Sequence, residues 1–183
     1  MGDDSSVGPQ RLVIDVLNRA PQADFVRPLG GIFEHSPWVA ERAWPARPFA
    51  SVQDLHRAMV DAVRRASREE QLALLQAHPD LAGKAARAGT MTDFSKGEQG
   101  GAGLDRLTDE EYVRFDRLNR AYQAKFGFPF IICVRNHTKE SILEAFERRL
   151  GNTAEAEIAA ALAEVFEIAR YRVESLVAAA ARA

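Results

Sequence analysis

An all-α fold is what this sequence predicts, on three observations. Apolar residues recur at helical spacing through most of the chain. Serine or threonine stands ahead of most of these runs, in several cases with glutamate three residues later. One stretch alone, FGFPFIICV at 126–134, is aromatic, β-branched, interrupted by proline and too short for a helix, so it reads as a short extended buried segment near 130–134.

The elements follow in order. RLVIDVLNRA sets Leu12, Val13, Val16 and Leu17 on one helical face. Ser36 and Pro37 read as an N-cap and first helical residue opening WVAERAW. Ser51 caps VQDLHRAMVDAVRRA, whose stripe is Val52, Leu55, Met59 and Val63. Ser67 with Glu70, and Thr108 with Glu111, form capping boxes; the second helix runs to about Lys125 with Tyr112, Phe115, Leu118, Asn119 and Tyr122 along one side. Thr138 opens KESILEAFERRL, which Gly151 and Asn152 close, and Thr153 opens a last helix to about residue 181. Residues 9–183 are expected to form a single helical domain behind an unstructured tail, 1–8.

Composition narrows the function. The 183 residues carry a formal charge of −2, with no basic patch for nucleic acid and no glycine-rich phosphate loop. One cysteine, Cys133, cannot form an internal disulfide, which fits a reducing compartment. No long apolar run suits a membrane span, and MGDDSSVGPQ lacks the order of a signal peptide. It matches the loose myristoylation pattern at Gly2 and Ser6, but its aspartates oppose a membrane role. The expectation is a cytoplasmic protein without nucleic-acid or membrane partners.

His35, His56, His78 and His137 show no metal-ligand spacing. His56 reads as solvated, His35 as packing or capping, and His137 as a loop residue. His78 precedes Pro79, which drives it out of helical conformation and sets it at a helix exit, either as punctuation or as an imidazole held towards a cleft. In SKGEQGGAGL, Ser95 and Glu98 have capping-box spacing, yet four glycines disfavour a helix and let a ligand approach backbone; Ser95, Glu98 and Gln99 also offer a hydroxyl, a carboxylate and an amide. The backbone of PFIICV reads either as core strand or as a surface for a small polar heterocycle, with Cys133 a core hydrophobe. On the last helix Arg172 falls on the stripe of Ile158, Leu162, Val165, Ala169 and Leu176, whereas Arg170 lies about 200° round from it. A buried arginine needs an anion, either an internal glutamate or a ligand carboxylate; the remaining alternative lays the aliphatic stem along the core with its head in water.

Taken in order, EHSPWVAERAW, RPF, HPDLAGK, SKGEQGGAGLDRLT, FGFPFIICV and RRLGN…E…ALAEVFEIARYR resemble the OHCU decarboxylases, the 2-oxo-4-hydroxy-4-carboxy-5-ureidoimidazoline decarboxylases, from about Phe25 to Val177. The resemblance implies an all-helical, homodimeric carboxy-lyase that needs no cofactor or metal. It would act after urate oxidase and hydroxyisourate hydrolase and convert OHCU to (S)-allantoin. It implies catalytic roles for His78, Glu98 and Arg172. Substrate contacts would come from Pro79, from Ser95, Lys96, Gly97, Glu98 and Gln99, and from Phe130, Ile131, Ile132, Cys133 and Val134. On that basis Arg172 would hold an anionic group, His78 would move the proton, and Glu98 would fix the imidazole. Two rivals stand beside it: a helical interaction module that kept the fold without the chemistry, and a metal-dependent hydrolase of a related ureide.

Overall fold

Side-chain caps open most of the longer helices. In the computed structural model, which describes residues 12–83 and 90–178, Ser51 accepts the Asp54 N–H to open α4 (Val52–Arg64). Ser67 and Glu70 close a reciprocal box ahead of α5 (Arg68–Gln76), and Thr108 with Glu111 do the same for α7 (Asp109–Phe126). Thr138 pairs with Ser141 to start α8 (Lys139–Arg149), and Thr153 caps α9 (Ala154–Leu176). Upstream lie α1 (Ile14–Arg19), α2 (Gln22–Leu29) and α3 (Trp38–Ala43); α6 (Asp93–Gly101) falls between α5 and α7. No described helix is long and apolar enough to cross a membrane.

The expected stripe of α4 is buried through Val52, Leu55, Met59 and Val63, and it packs on α3 and α9. A second part of the core is aromatic. Tyr122 of α7 meets Phe128, Phe130 and Phe146 edge-on, while Phe130 stacks on Phe146 with centroids 3.9 Å apart. Gly127, at φ 77°, ends α7 in the left-handed conformation that glycine adopts without strain, turning the chain into the FGFPF run. That run stays extended as far as Cys133 and then tightens into a 3-10 turn, Val134–Asn136.

Several expectations change. Leu12 and Val13 belong not to a helix but to a two-residue parallel strand pair with Val177 and Ala178; α1 buries Ile14 and Leu17 and leaves Val16 61% exposed. The last helix stops at Leu176 because that pairing takes over, and residues 179–181 lie outside the described residues. So do the tail 1–8 and Lys84. Ser36 does not cap α3: its hydroxyl donates to the Glu34 carbonyl. His35 is exposed at φ 47° instead of packing, and His56 is half-buried, bonded through Nε2 to the Phe166 carbonyl. Ser95 is no cap, since Thr92 opens α6 and accepts the Ser95 N–H.

Candidate active site

Three chain segments meet at one buried guanidinium. Arg172 of α9 is 2% exposed, and each of its five N–H donors has a protein acceptor. Nε and Nη2 form a fork on the two carboxylate oxygens of Glu98, both at 2.8 Å. Nη1 reaches Glu34 Oε2 at 2.9 Å and the Ile32 carbonyl at 3.2 Å, and Nη2 reaches Ser95 Oγ at 3.2 Å. Ser95 in turn donates to Glu34 at 3.0 Å, and Thr92 Oγ1 donates to the other Glu34 oxygen at 2.6 Å. Of the two readings of a buried arginine, the internal glutamate is realised, twice. Burial alone would raise the Glu34 carboxyl; the Thr92 hydroxyl and the Arg172 charge outweigh it and hold it below the usual carboxylate range. Burial would likewise disfavour the charge on Arg172, but Glu98 and Glu34 push its pKa up.

His78 lies two residues beyond α5, 8% exposed. Its Nδ1 donates to the Leu74 carbonyl at 2.9 Å, so Leu74, not Glu98, fixes the tautomer and leaves Nε2 with a free lone pair. Burial drives its pKa down to about 4, against the opposing pull of the Leu74 bond and the Glu34 charge, so the ring is neutral at pH 7. The chain beyond it is clamped. Gln99 accepts from the Ala82 N–H at 2.9 Å and donates to the Asp80 carbonyl at 3.2 Å, and Asn119 donates to the Leu81 carbonyl at 2.8 Å.

Helix α6 exists despite Gly97, Gly100 and Gly101, each of which costs up to about 1 kcal/mol relative to alanine. Its end is secured by Gly103 at φ 73°, with Gly103 N–H on the Gly100 carbonyl and Leu104 N–H on the Gln99 carbonyl. Opposite α6 runs the extended segment, pinned from behind. Arg149 Nη1 donates to the Ile131 carbonyl at 2.8 Å; its guanidinium lies 4.4 Å over the Phe130 ring and pairs with buried Glu157, which also takes Tyr122 and Asn152. Cys133 N–H donates to Glu164 at 2.8 Å. Among the described residues no protein group meets the N–H or C=O of Ile132. Burial, with Glu164 adding to it, raises the Cys133 thiol to about 11 and leaves it an inert core group.

These parts line a narrow cleft that is partly open to solvent. The family model for OHCU decarboxylase matches residues 18–174. The chain belongs to the OHCU decarboxylase family. It is 47% identical over 161 residues to the 2-oxo-4-hydroxy-4-carboxy-5-ureidoimidazoline decarboxylase of Haloferax volcanii, covering 88% of this chain and 94% of that one. It is 44% identical over 164 residues to the uric acid degradation bifunctional protein of Bacillus subtilis, covering 90% of this chain and 32% of that one. Among solved structures, (S)-allantoin synthase superposes with a TM-score of 0.70 at 35% identity, over 91% of this chain and 54% of that chain.

Of the residues that the OHCU decarboxylase resemblance singled out, His78, Pro79, Ser95, Glu98, Gln99, Phe130, Ile131, Ile132, Cys133, Val134 and Arg172 all line the cleft. Gly97 lines an adjoining one, with open space around its Cα, and Lys96 is exposed and lines neither. Sequence reasoning missed Glu34, Thr92, Tyr171 and Arg135 as site residues. The available signal for Glu34 was Arg172 itself, which demanded a buried anion.

Proposed function

We propose that this protein decarboxylates OHCU to (S)-allantoin, as a cytoplasmic homodimer working after urate oxidase and hydroxyisourate hydrolase. The observation that carries the mechanism is a neutral imidazole, tautomer fixed, at the wall of a cleft whose opposite side offers the unpaired backbone of Ile132.

Breaking the bond to the leaving carboxylate releases an electron pair, which the substrate's own ring imine accepts; a proton must then reach one face of the ring carbon. His78 Nε2, neutral at pH 7, acts first as base on the substrate hydroxyl. The resulting imidazolium then donates to the ring carbon, on the face set by the imidazole's fixed position. The hydroxyl oxygen becomes the carbonyl, and the former imine nitrogen, left anionic by the electron pair, takes one proton from solvent to give neutral allantoin. Ile132 N–H and C=O complement the hydantoin-like edge of the heterocycle. Arg172 holds Glu98 and Glu34 in place, and with them the wall of α6. Glu98 touches the substrate from that wall.

The test is reconstitution. Purified protein added to urate with urate oxidase and hydroxyisourate hydrolase yields dextrorotatory allantoin, read by circular dichroism, at a rate unchanged by chelator. Racemic product at the uncatalysed rate refutes the decarboxylase reading and favours an interaction module; loss of activity with chelator favours a metal-dependent hydrolase. Sedimentation at micromolar concentration finds twice the chain mass, and a species of 20.2 kDa alone refutes the dimer.

A further inference from the structure

We infer that Arg135, and not Arg172, is the cation that receives the substrate carboxylate. This rests on the decarboxylase reading, which makes the substrate an anion. The cleft interior is poorly disposed to accept one. Arg172 carries one positive charge against the carboxylates of Glu34 and Glu98, and all five of its donors are occupied. A substrate carboxylate could bind it only by displacing Glu98 from a two-point fork or Glu34 from a 2% exposed pair.

Arg135 is differently placed. It follows the extended segment directly, on the 3-10 turn Val134–Asn136, and lines both the cleft and the two shallower hollows that open beside Gly97. Its guanidinium lies 4.9 Å over the ring of Tyr171, another cleft residue, whose hydroxyl is tied to Asn136 Oδ1 at 2.9 Å. That cation–π contact holds the guanidinium beside the cleft, and among the described residues none of its N–H donors has a protein acceptor, which leaves them for a two-point carboxylate contact. Among the described residues no carboxylate pairs with it, whereas Arg170 is engaged by Glu167 and Glu174, and Arg149 by Glu157. The position at the mouth also suits the chemistry. A carboxylate held there faces solvent, so the contact orients it across the ring plane without the tight hold of a buried pair, and carbon dioxide departs outward.

The test compares two ligands that share a ring edge and differ in charge, hydantoin-5-acetate and (S)-allantoin, by calorimetry on the wild-type protein and on Arg135→Gln and Arg135→Lys. Arg135→Gln weakens hydantoin-5-acetate at least about tenfold and (S)-allantoin by less than about twofold, the scale of one lost charge-assisted contact. Arg135→Lys recovers part of the loss. Equal weakening of both ligands, or no weakening of the carboxylate, overturns the assignment. The binding ratio uses no turnover, so it separates from the reconstitution assay: a wild-type enzyme that makes (S)-allantoin while Arg135→Gln keeps its carboxylate affinity sinks this inference alone. A protein that makes none but shows the ratio retains the anion site and loses the decarboxylase reading.

Discussion

Arg172→Met is the perturbation that most directly separates a framework arginine from a ligand-binding one. Methionine keeps the stem's volume and removes the charge. It leaves Glu34, 2% exposed, with Thr92 and Ser95 as its remaining partners and no cation. Removing one member of a buried pair costs about 3–5 kcal/mol because the other is left uncompensated. Unfolding entropy of about 2.1 cal/mol/K per residue over 183 residues is roughly 0.4 kcal/mol per kelvin, so the melting temperature falls by about 8–13 °C. Adding Glu34→Gln to Arg172→Met neutralises the orphaned carboxylate and restores at least about half of that loss. Arg170→Ala is the control: its partners Glu167 and Glu174 are partly solvated, and it shifts melting by less than about 3 °C. Scanning calorimetry at pH 7 reads all four proteins. An Arg172→Met protein melting within about 2 °C of wild type, or no recovery in the double variant, refutes the framework role.

Two further outcomes follow from the same geometry. With a folded pKa of about 4 against 6.5 unfolded, the denatured chain binds a proton on His78 that the native state refuses; stability is therefore complete above pH 6.5 and declines as pH falls towards 4. A depression of that size is worth on the order of 3 kcal/mol. His78→Gln flattens that part of the acid-unfolding curve and lowers turnover by about 10²–10⁴-fold, and an unchanged curve would show that His78 titrates normally in the fold. Arg149→Met frees the Ile131 carbonyl and lets the extended segment shift, raising KM about tenfold with kcat within about threefold; a kcat effect without a KM effect would place Arg149 in the chemistry instead.

Local rules made much of the fold legible. Ser51, Ser67, Thr108, Thr138 and Thr153 each cap the helix their spacing announces, because a cap is decided within four residues. Where a distant partner competes, the same rule fails. Ser36 spends its hydroxyl on the Glu34 backbone carbonyl, and Ser95 lies inside α6 with its hydroxyl on the Glu34 carboxylate, so both serines serve one buried residue instead of capping. The strand pair at Leu12 and Val177 joins the two ends of the described chain, and no window of a dozen residues contains it. At the site, His78 was readable from its proline and Arg172 from its stripe, but the fork between Arg172 and Glu98 spans 74 positions and the bond to Glu34 spans 138. Glu34 is short of partners in its own segment, so sequence reasoning reached the arginine without its acceptor.

The same long-range contacts account for where the backbone is strained. Among the described residues, two that are not glycine have positive φ: His35 at 47° and Ala82 at 51°. Each such conformation costs on the order of 1–3 kcal/mol and persists only where surrounding bonds over-determine it. His35 follows Glu34, whose side chain is fastened by Thr92, Ser95 and Arg172 and whose carbonyl is held by Ser36. Ala82 hangs from the Gln99 amide, in the segment that leads away from His78 and Pro79. Helix α6 therefore grips both strained loops, one through Ser95 and one through Gln99, and through Glu98 it also grips α9. A glycine-rich helix is a weak element by propensity, and here its order depends on those tertiary bonds. Each of these bonds holds a different part of the wall, and the Gln99 pair is the one that steadies the chain leaving His78, so a bond that stabilises the fold at this point also bears on the imidazole's position.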